Sequence, residues 1–193
     1  MELELDKLLR IKTTGRDDSN SDLTNFPYEP TPYSVLELLA NSGYLSKNDV
    51  VIDYGSGKGR VDFYLAYYLK CHMIGVEYDN RLFQRAISNL KDAKSKSRVE
   101  FVLKNASEYE IPNNAKALYF FNPFNISVLI DVINNLRESI RKNKRNVLLF
   151  FYYPSNKYLE YLNSEKDIKH IDDLDCKELF NNDSREVISI YKI

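Results

Sequence analysis

Two cysteines and two histidines are all that a chain of 193 residues contains, and this scarcity narrows the chemistry. Cys71 and Cys176 lie far apart and match neither a C-x-x-C redox motif nor a zinc-ligand spacing. Both are expected as free thiols, and no metal centre is expected. His72 opens a strand and His170 lies in a late strand region. Both read as structural residues rather than as a general base. No apolar run approaches the length a membrane-crossing helix needs. The first residues, Met1 to Asp6, are acidic and lack the basic and then apolar regions of a secretory signal, so the expectation is a cytoplasmic protein without a membrane partner. A surplus of one charge is also missing: 27 Lys and Arg stand against 28 Asp and Glu. Binding to phosphate backbones draws on positive charge, so this balance weighs against a nucleic-acid acceptor without forbidding one. The two basic runs, Lys94–Arg98 and Arg141–Arg145, each lie between a helix and the following strand, where they complement helix C-termini.

What is present is regular alternation. Residues 3–12 carry a short amphipathic pattern, Thr13 to Asn25 is a polar connector, and Phe26–Tyr33 holds three prolines. A helix is expected over 33–42, ending near Gly43. Strands are expected over Val50–Tyr54, His72–Glu77, Val99–Leu103, Ala117–Phe121 and Asn146–Tyr152. Helices are expected over Arg60–Lys70, Asn80–Lys94 and Ile126–Arg141. Alternating elements of this kind imply βαβ units, right-handed crossovers and helices on both faces of the sheet. A short helix over Tyr158–Asn163, a weak strand over Asp167–Ile171 and a clear one over Glu186–Lys192 follow. No helix joins the last two strands, which predicts a terminal antiparallel hairpin. The expected architecture is α/β, doubly wound, with a mostly parallel seven-stranded sheet closed by a C-terminal antiparallel hairpin. Residues 1–32 form an N-terminal helix and a flexible, Pro-rich lid segment, and residues 33–193 form a single domain.

The chemistry gathers at Asp53-Tyr-Gly55-Ser56-Gly57-Lys-Gly59, between the first strand of the sheet and the next helix. A tight turn of residues without Cβ lets a ligand approach the backbone, and the amides at the helix start can hold a negatively charged group. A dinucleotide fingerprint needs a third glycine where Arg60 stands. A P-loop needs a glycine at Ile52 and a hydroxyl residue at Gly59. Both fail. Glu77, closing the next strand, is placed to accept hydrogen bonds from ribose hydroxyls. Asn105-Ala106, past the third strand of the sheet, supplies amides suited to an adenine edge.

The segments Val51–Arg60, Ile74–Asp79, Asn105–Ala106 and Phe120–Phe124, in that order, resemble the motif series of class I, seven-stranded S-adenosylmethionine-dependent methyltransferases over roughly residues 27–153. The resemblance implies S-adenosyl-L-methionine as cofactor. It implies that Gly55, Ser56, Gly57 and Gly59 pass under the methionine part and that Asp53 anchors its amino group. Glu77 with Tyr78 would hold the ribose, and Asn105 with Ala106 the adenine. Thr31-Pro32 resembles a segment that touches the methionine part in amino-methylating relatives, with Tyr28 beside it. A helix N-cap at Thr31 or Ser34 is the competing reading. Asn122-Pro123-Phe124 resembles the Asn/Asp-Pro-Pro-Tyr/Phe motif of enzymes that methylate amide or exocyclic amino nitrogens, with one proline fewer. It also resembles the Asn-Phe motif of non-SET histone lysine methyltransferases. These three residues, with Asn122 also touching the cofactor, are the expected reacting edge. Tyr152 and Tyr153 are candidates for the acceptor pocket. The expected activity is methyl transfer to a nitrogen of a protein side chain or small molecule. A catalytically silent cofactor-binding sensor or partner subunit is the alternative. The sequence gives no oligomeric state.

Overall fold

The computed structural model describes residues 2–17 and 28–193. Phe26 and most of the polar connector lie outside the described residues. Seven strands form one sheet: β1 (Val50–Tyr54), β2 (His72–Glu77), β3 (Val99–Leu103), β4 (Ala115–Phe120), β5 (Leu148–Tyr152), β6 (Lys169–Asp175) and β7 (Val187–Lys192). Their order is β3-β2-β1-β4-β5-β7-β6. The first five are parallel, and β7 runs antiparallel between β5 and β6. The expected sheet and its terminal hairpin are therefore present. The element bounds differ most at β6, which starts two residues later and ends four residues later than the expected Asp167–Ile171. A 3-10 turn over Lys177–Leu179 lies in the β6–β7 connection.

Among the described residues, six helices accompany the sheet: α1 (Glu2–Leu9), α2 (Tyr33–Asn41), α3 (Arg60–Tyr68), α4 (Asn80–Asp92), α5 (Ile126–Lys142) and α6 (Asn156–Ser164). Side-chain alternation along β1 divides the core. Val51 packs with α2 and α3, together with Tyr33, Leu36, Phe63 and Leu65. Ile52 and Tyr54 point to the opposite face, where Leu129, Val132, Leu136 and Leu162 from α5 and α6 pack. Burial of these aliphatic and aromatic side chains, at about 1.5–3 kcal/mol each, is the main stabilising term. Gly43 follows α2 with φ +81, the left-handed position that a helix stop uses. Arg145, in one of the basic runs, donates to the Ala115 carbonyl at 2.8 Å and to Ser139 Oγ at 2.8 Å. It ties the end of α5 to the start of β4.

The order of connection reverses between β1 and β4. In open α/β sheets the crevice outside the strand carboxyl ends at such a reversal is where ligands bind.

Candidate functional site

The loops after five parallel strands meet around one cleft of about 300 Å³ at this reversal. Asp53 and Gly55-Ser56 come from β1 and its loop, Glu77-Tyr78-Asp79 from β2, and Asn105-Ala106 from β3. Asn122-Pro123-Phe124 comes from β4 and Tyr153 from β5. Arg16, Asp17 and Tyr28–Thr31 close it from the N-terminal side. Of the residues expected from sequence, Gly57, Gly59, Pro32 and Tyr152 are not among its lining.

The glycines do different jobs. Gly55 has φ +74, and a Cβ on it would come within 2.5 Å of Pro123 Cβ. The Asn-Pro-Phe turn therefore packs directly on the loop. Gly57 has φ +56 and lies under the Tyr28 ring. Its N–H donates to Glu77 Oε2 at 2.8 Å. Gly59, φ +85, precedes α3 and faces Phe63 and Phe101. It lets the helix approach the sheet rather than meeting the cleft.

Glu77 is 5% exposed. Burial raises its carboxyl, while the N–H groups of Asp79, Gly57 and Tyr78 oppose that shift. Its Oε1 accepts from Tyr78 at 2.9 Å and Asp79 at 2.8 Å. A carboxylate offers about four acceptor positions, so one remains, on Oε2, for a hydroxyl. Asp79, also buried at the cleft, caps α4 by accepting from the Arg81 N–H at 2.8 Å. Asn105 Oδ1 is engaged by Ser107, from N at 3.1 Å and Oγ at 2.9 Å. Asn105 and Ala106 both line the cleft.

Thr31 is not a helix cap: Pro32 holds that position without a side-chain bond. Thr31 Oγ1 shares a hydrogen bond with Tyr119 Oη at 3.1 Å beneath the cleft. Tyr28 donates to the Thr13 carbonyl at 2.9 Å, and the Lys58 ammonium lies 4.6 Å from its ring centre. Tyr153 lines the cleft, whereas Tyr152 is buried and donates to Glu186 at 2.5 Å. Phe124 packs with Tyr54 and Phe120, its backbone carbonyl accepting from Tyr158 at 2.6 Å, and still borders the cleft.

In the sequence Arg60 opens a helix and rules out a dinucleotide fingerprint but has no site role, and nothing there marks Asp62, Asn89 or Tyr119. Arg60, 2% exposed, donates from Nε to Thr13 Oγ1 at 2.8 Å and from Nη2 to Thr14 Oγ1 at 3.1 Å, and pairs with Glu2. Asn89 binds Lys12 and Lys58, joining the N-terminal segment to the glycine loop. The structure buries every residue from Arg60 to Ala66, which the sequence pattern of one apolar stripe did not show. Charges on such a helix must have internal partners.

Two buried side-chain atoms at the cleft, Ser56 Oγ and Asn122 Oδ1, have no hydrogen-bond partner among the described residues. Buried polar atoms without partners cost about 1–3 kcal/mol each, and a polar ligand in this cleft would satisfy them. An acid at the β2 end, a side-chain-free turn and unpartnered polar atoms fit a nucleoside with an amino-acid tail.

Fold and cleft together define a Rossmann-like protein that binds a nucleoside cofactor at the carboxyl edge of its sheet. Residues 45–155 match the family model of the methyltransferase domain, and the chain belongs to that family, the class I S-adenosylmethionine-dependent methyltransferases. No curated protein matches the sequence. Among solved structures, an RNA methyltransferase from Salinibacter ruber in complex with S-adenosyl-L-homocysteine is 21% identical with a TM-score of 0.54. The match covers 85% of this chain and 92% of that one. A methyltransferase from Geobacter sulfurreducens, also with S-adenosyl-L-homocysteine, is 16% identical with a TM-score of 0.58 over 80% and 72% of the two chains. A precorrin-6y C5,15-methyltransferase from Geobacter metallireducens is 15% identical with a TM-score of 0.61, over 84% and 88%. These likenesses are of fold. Among the described residues no helix is long and apolar enough to cross a membrane, and no group of His, Cys, Asp or Glu could hold a metal ion.

Proposed function

We propose that this methyltransferase acts on a nitrogen of a protein side chain or small molecule, at the edge formed by Asn122, Pro123 and Phe124. One observation carries the reading. Asn122 follows β4 with φ +47, a conformation a non-glycine residue keeps only when its surroundings impose it. Its Oδ1 is buried at the cleft without a donor. An amine or amide N–H is the donor that such an atom lacks. Tyr153, φ +50 after the neighbouring strand β5, lines the same cleft and would serve as an aromatic wall for the acceptor.

The cofactor supplies an electrophilic methyl group on a sulfonium. The chain's contribution is position and dryness. Asp53 and the Gly55-Ser56 turn hold the methionine end, Glu77 and Tyr78 the ribose, and Asn105 with Ala106 the adenine. Val76, Leu82 and Val128 supply apolar lining. Tyr28 and Thr31 close the cleft over the methionine end.

Protein incubated with methyl-labelled cofactor and separate pools of peptides, small amines and RNA should label a peptide or amine at nitrogen. Label on oxygen, carbon or RNA overturns the reading, and cofactor binding without label in any pool supports the silent sensor. Asn122→Ala should lower the rate about 10²-fold, the usual effect of a misplaced acceptor, while cofactor affinity changes little. Glu77→Ala should weaken cofactor binding by about 1–3 kcal/mol, read by calorimetry. Unchanged affinity would remove Glu77 from the ribose.

A further inference from the structure

Asp53 and Asp62 form a buried pair of carboxyls that pairs with no cation among the described residues. In the sheet register Asp53 lies between Gly75 of β2 and Tyr119 of β4. It is 3% exposed and lines the cleft. Asp62, from the first turn of α3, is fully buried, and no other described residue supplies an N–H or O–H donor within hydrogen-bond distance of its oxygens. What it faces is the Asp53 carboxyl. Two carboxyls can share a hydrogen bond only when one carries a proton.

The other groups around the pair do not supply it. Glu77, from β2, adds negative charge and takes its own bonds from three backbone amides. Tyr119, from β4, is engaged with Thr31. Tyr28, from the segment before α2, donates to Thr13. Arg60, on the same helix as Asp62, directs its donors to Glu2, Thr13, Thr14 and Thr31. Burial drives both carboxyls upward, Asp53 to about 7 and Asp62 well beyond the carboxylate range. Asp62 pulls Asp53 down by hydrogen bonding and Glu77 pushes it up.

From this geometry we infer that Asp62 is a positioning residue: it keeps a proton, donates it to Asp53, and so holds the Asp53 carboxylate ionised toward the cofactor's ammonium group. The inference rests on the placement of that amino group at Asp53 given above. Binding then requires ionised Asp53, whose carboxyl burial and Glu77 raise while the Asp62 hydrogen bond lowers it, so the free protein takes up a proton there as pH falls. A group that must lose its proton to bind makes affinity fall as pH drops below its pKa, with one proton released per ligand.

Calorimetry with S-adenosylhomocysteine in two buffers of unlike ionisation enthalpy measures this on the parent protein. Proton release should approach one per ligand near pH 6 and be smaller near pH 7.5, with affinity several-fold weaker at the lower pH. Asp62→Leu removes the donor, moves the weak limb to higher pH and lowers affinity at pH 7 about fivefold for a one-unit shift. Asp62→Asn, whose amide can donate from the same place, restores the parent profile. Absence of proton release near pH 6, or an Asp62→Leu profile that overlies the parent, overturns the proposal. Asp53→Asn binding as tightly as the parent is a separate failure, that of the amino-group placement.

Discussion

Gly57→Val abolishes measurable binding of S-adenosylhomocysteine while leaving the domain folded, and Gly57→Ala weakens binding at least about a hundredfold. Two effects act together. Gly57 has φ +56, and a Cβ there would overlap the Tyr28 ring. The left-handed region costs a β-branched residue about 1–3 kcal/mol before any contact is counted. Tyr28 has little freedom to yield, because its hydroxyl is bound to Thr13, its backbone is bridged to Asp17, and Lys58 covers its ring. The loop must therefore shift, and the Gly57 N–H then leaves Glu77. Damage passes from the methionine end of the cleft to the ribose end through that one bond. Tyr28→Ala in the Gly57→Ala background should recover part of the loss by relieving the overlap, with the backbone strain left over. A double-mutant cycle in calorimetry separates the two. Binding by Gly57→Val within tenfold of the parent would show that this loop is not the cofactor's bed.

The sequence carried the sheet because each central strand is a short apolar run between turn signals and each following helix has one apolar stripe. It carried the cleft because the chemistry-bearing residues sit just past strand ends, where the fold must bring them together. What it did not carry depends on contacts distant in the chain. Strand β6, Lys169-His-Ile-Asp-Asp-Leu-Asp, is a polar edge strand with an irregularity between His170 and Asp172. Pairing with β7 sets its limits, and no pattern within it could. Thr31 looks like a helix cap in sequence, yet its partner is Tyr119, 88 residues away. Asp62 looks like an ordinary first-turn acid, which helix dipoles favour. Only burial on the Asp53 side of the sheet reveals it. The division of labour among Gly55, Gly57 and Gly59 was hidden for the same reason: identical residues face Pro123, Tyr28 and the Phe63–Phe101 pair.

The second large effect belongs to Arg60, which fastens the N-terminal segment to the glycine-loop helix. Its guanidinium lies 4.3 Å from the Tyr33 ring centre and 3.9 Å from Asp6 Oδ1, and binds Thr13, Thr14 and the Thr31 carbonyl while pairing with Glu2. Asp6 is itself buried, accepting from the Tyr33 hydroxyl at 2.5 Å and the Thr13 N–H at 2.7 Å. Arg60→Met keeps the apolar stem but strands Asp6 without its cation. The expected loss is about 3–5 kcal/mol, a large share of the 5–15 kcal/mol that holds a typical domain. Urea unfolding at neutral pH measures it. Arg60→Lys should recover less than half, since one ammonium cannot serve five dispersed acceptors. The pH dependence gives an independent check. Burial alone would raise the Asp6 carboxyl, but its hydrogen bonds from Tyr33 and Thr13 and the Arg60 charge outweigh burial and hold it below 3.8. A carboxyl lowered by folding contributes stability above its unfolded value and loses it as pH falls through the folded one. Without Arg60 the Asp6 carboxyl rises toward its unfolded value, so Arg60→Met loses less stability to acid at this group and its deficit against the parent narrows as pH falls. The variant should also lose cofactor affinity, because Thr13, the acceptor for Tyr28, is released with Asp6. A loss below about 1 kcal/mol that stays constant as pH falls would mean that α1 is held by its apolar contacts, and that this buried cation is dispensable to the roof of the site.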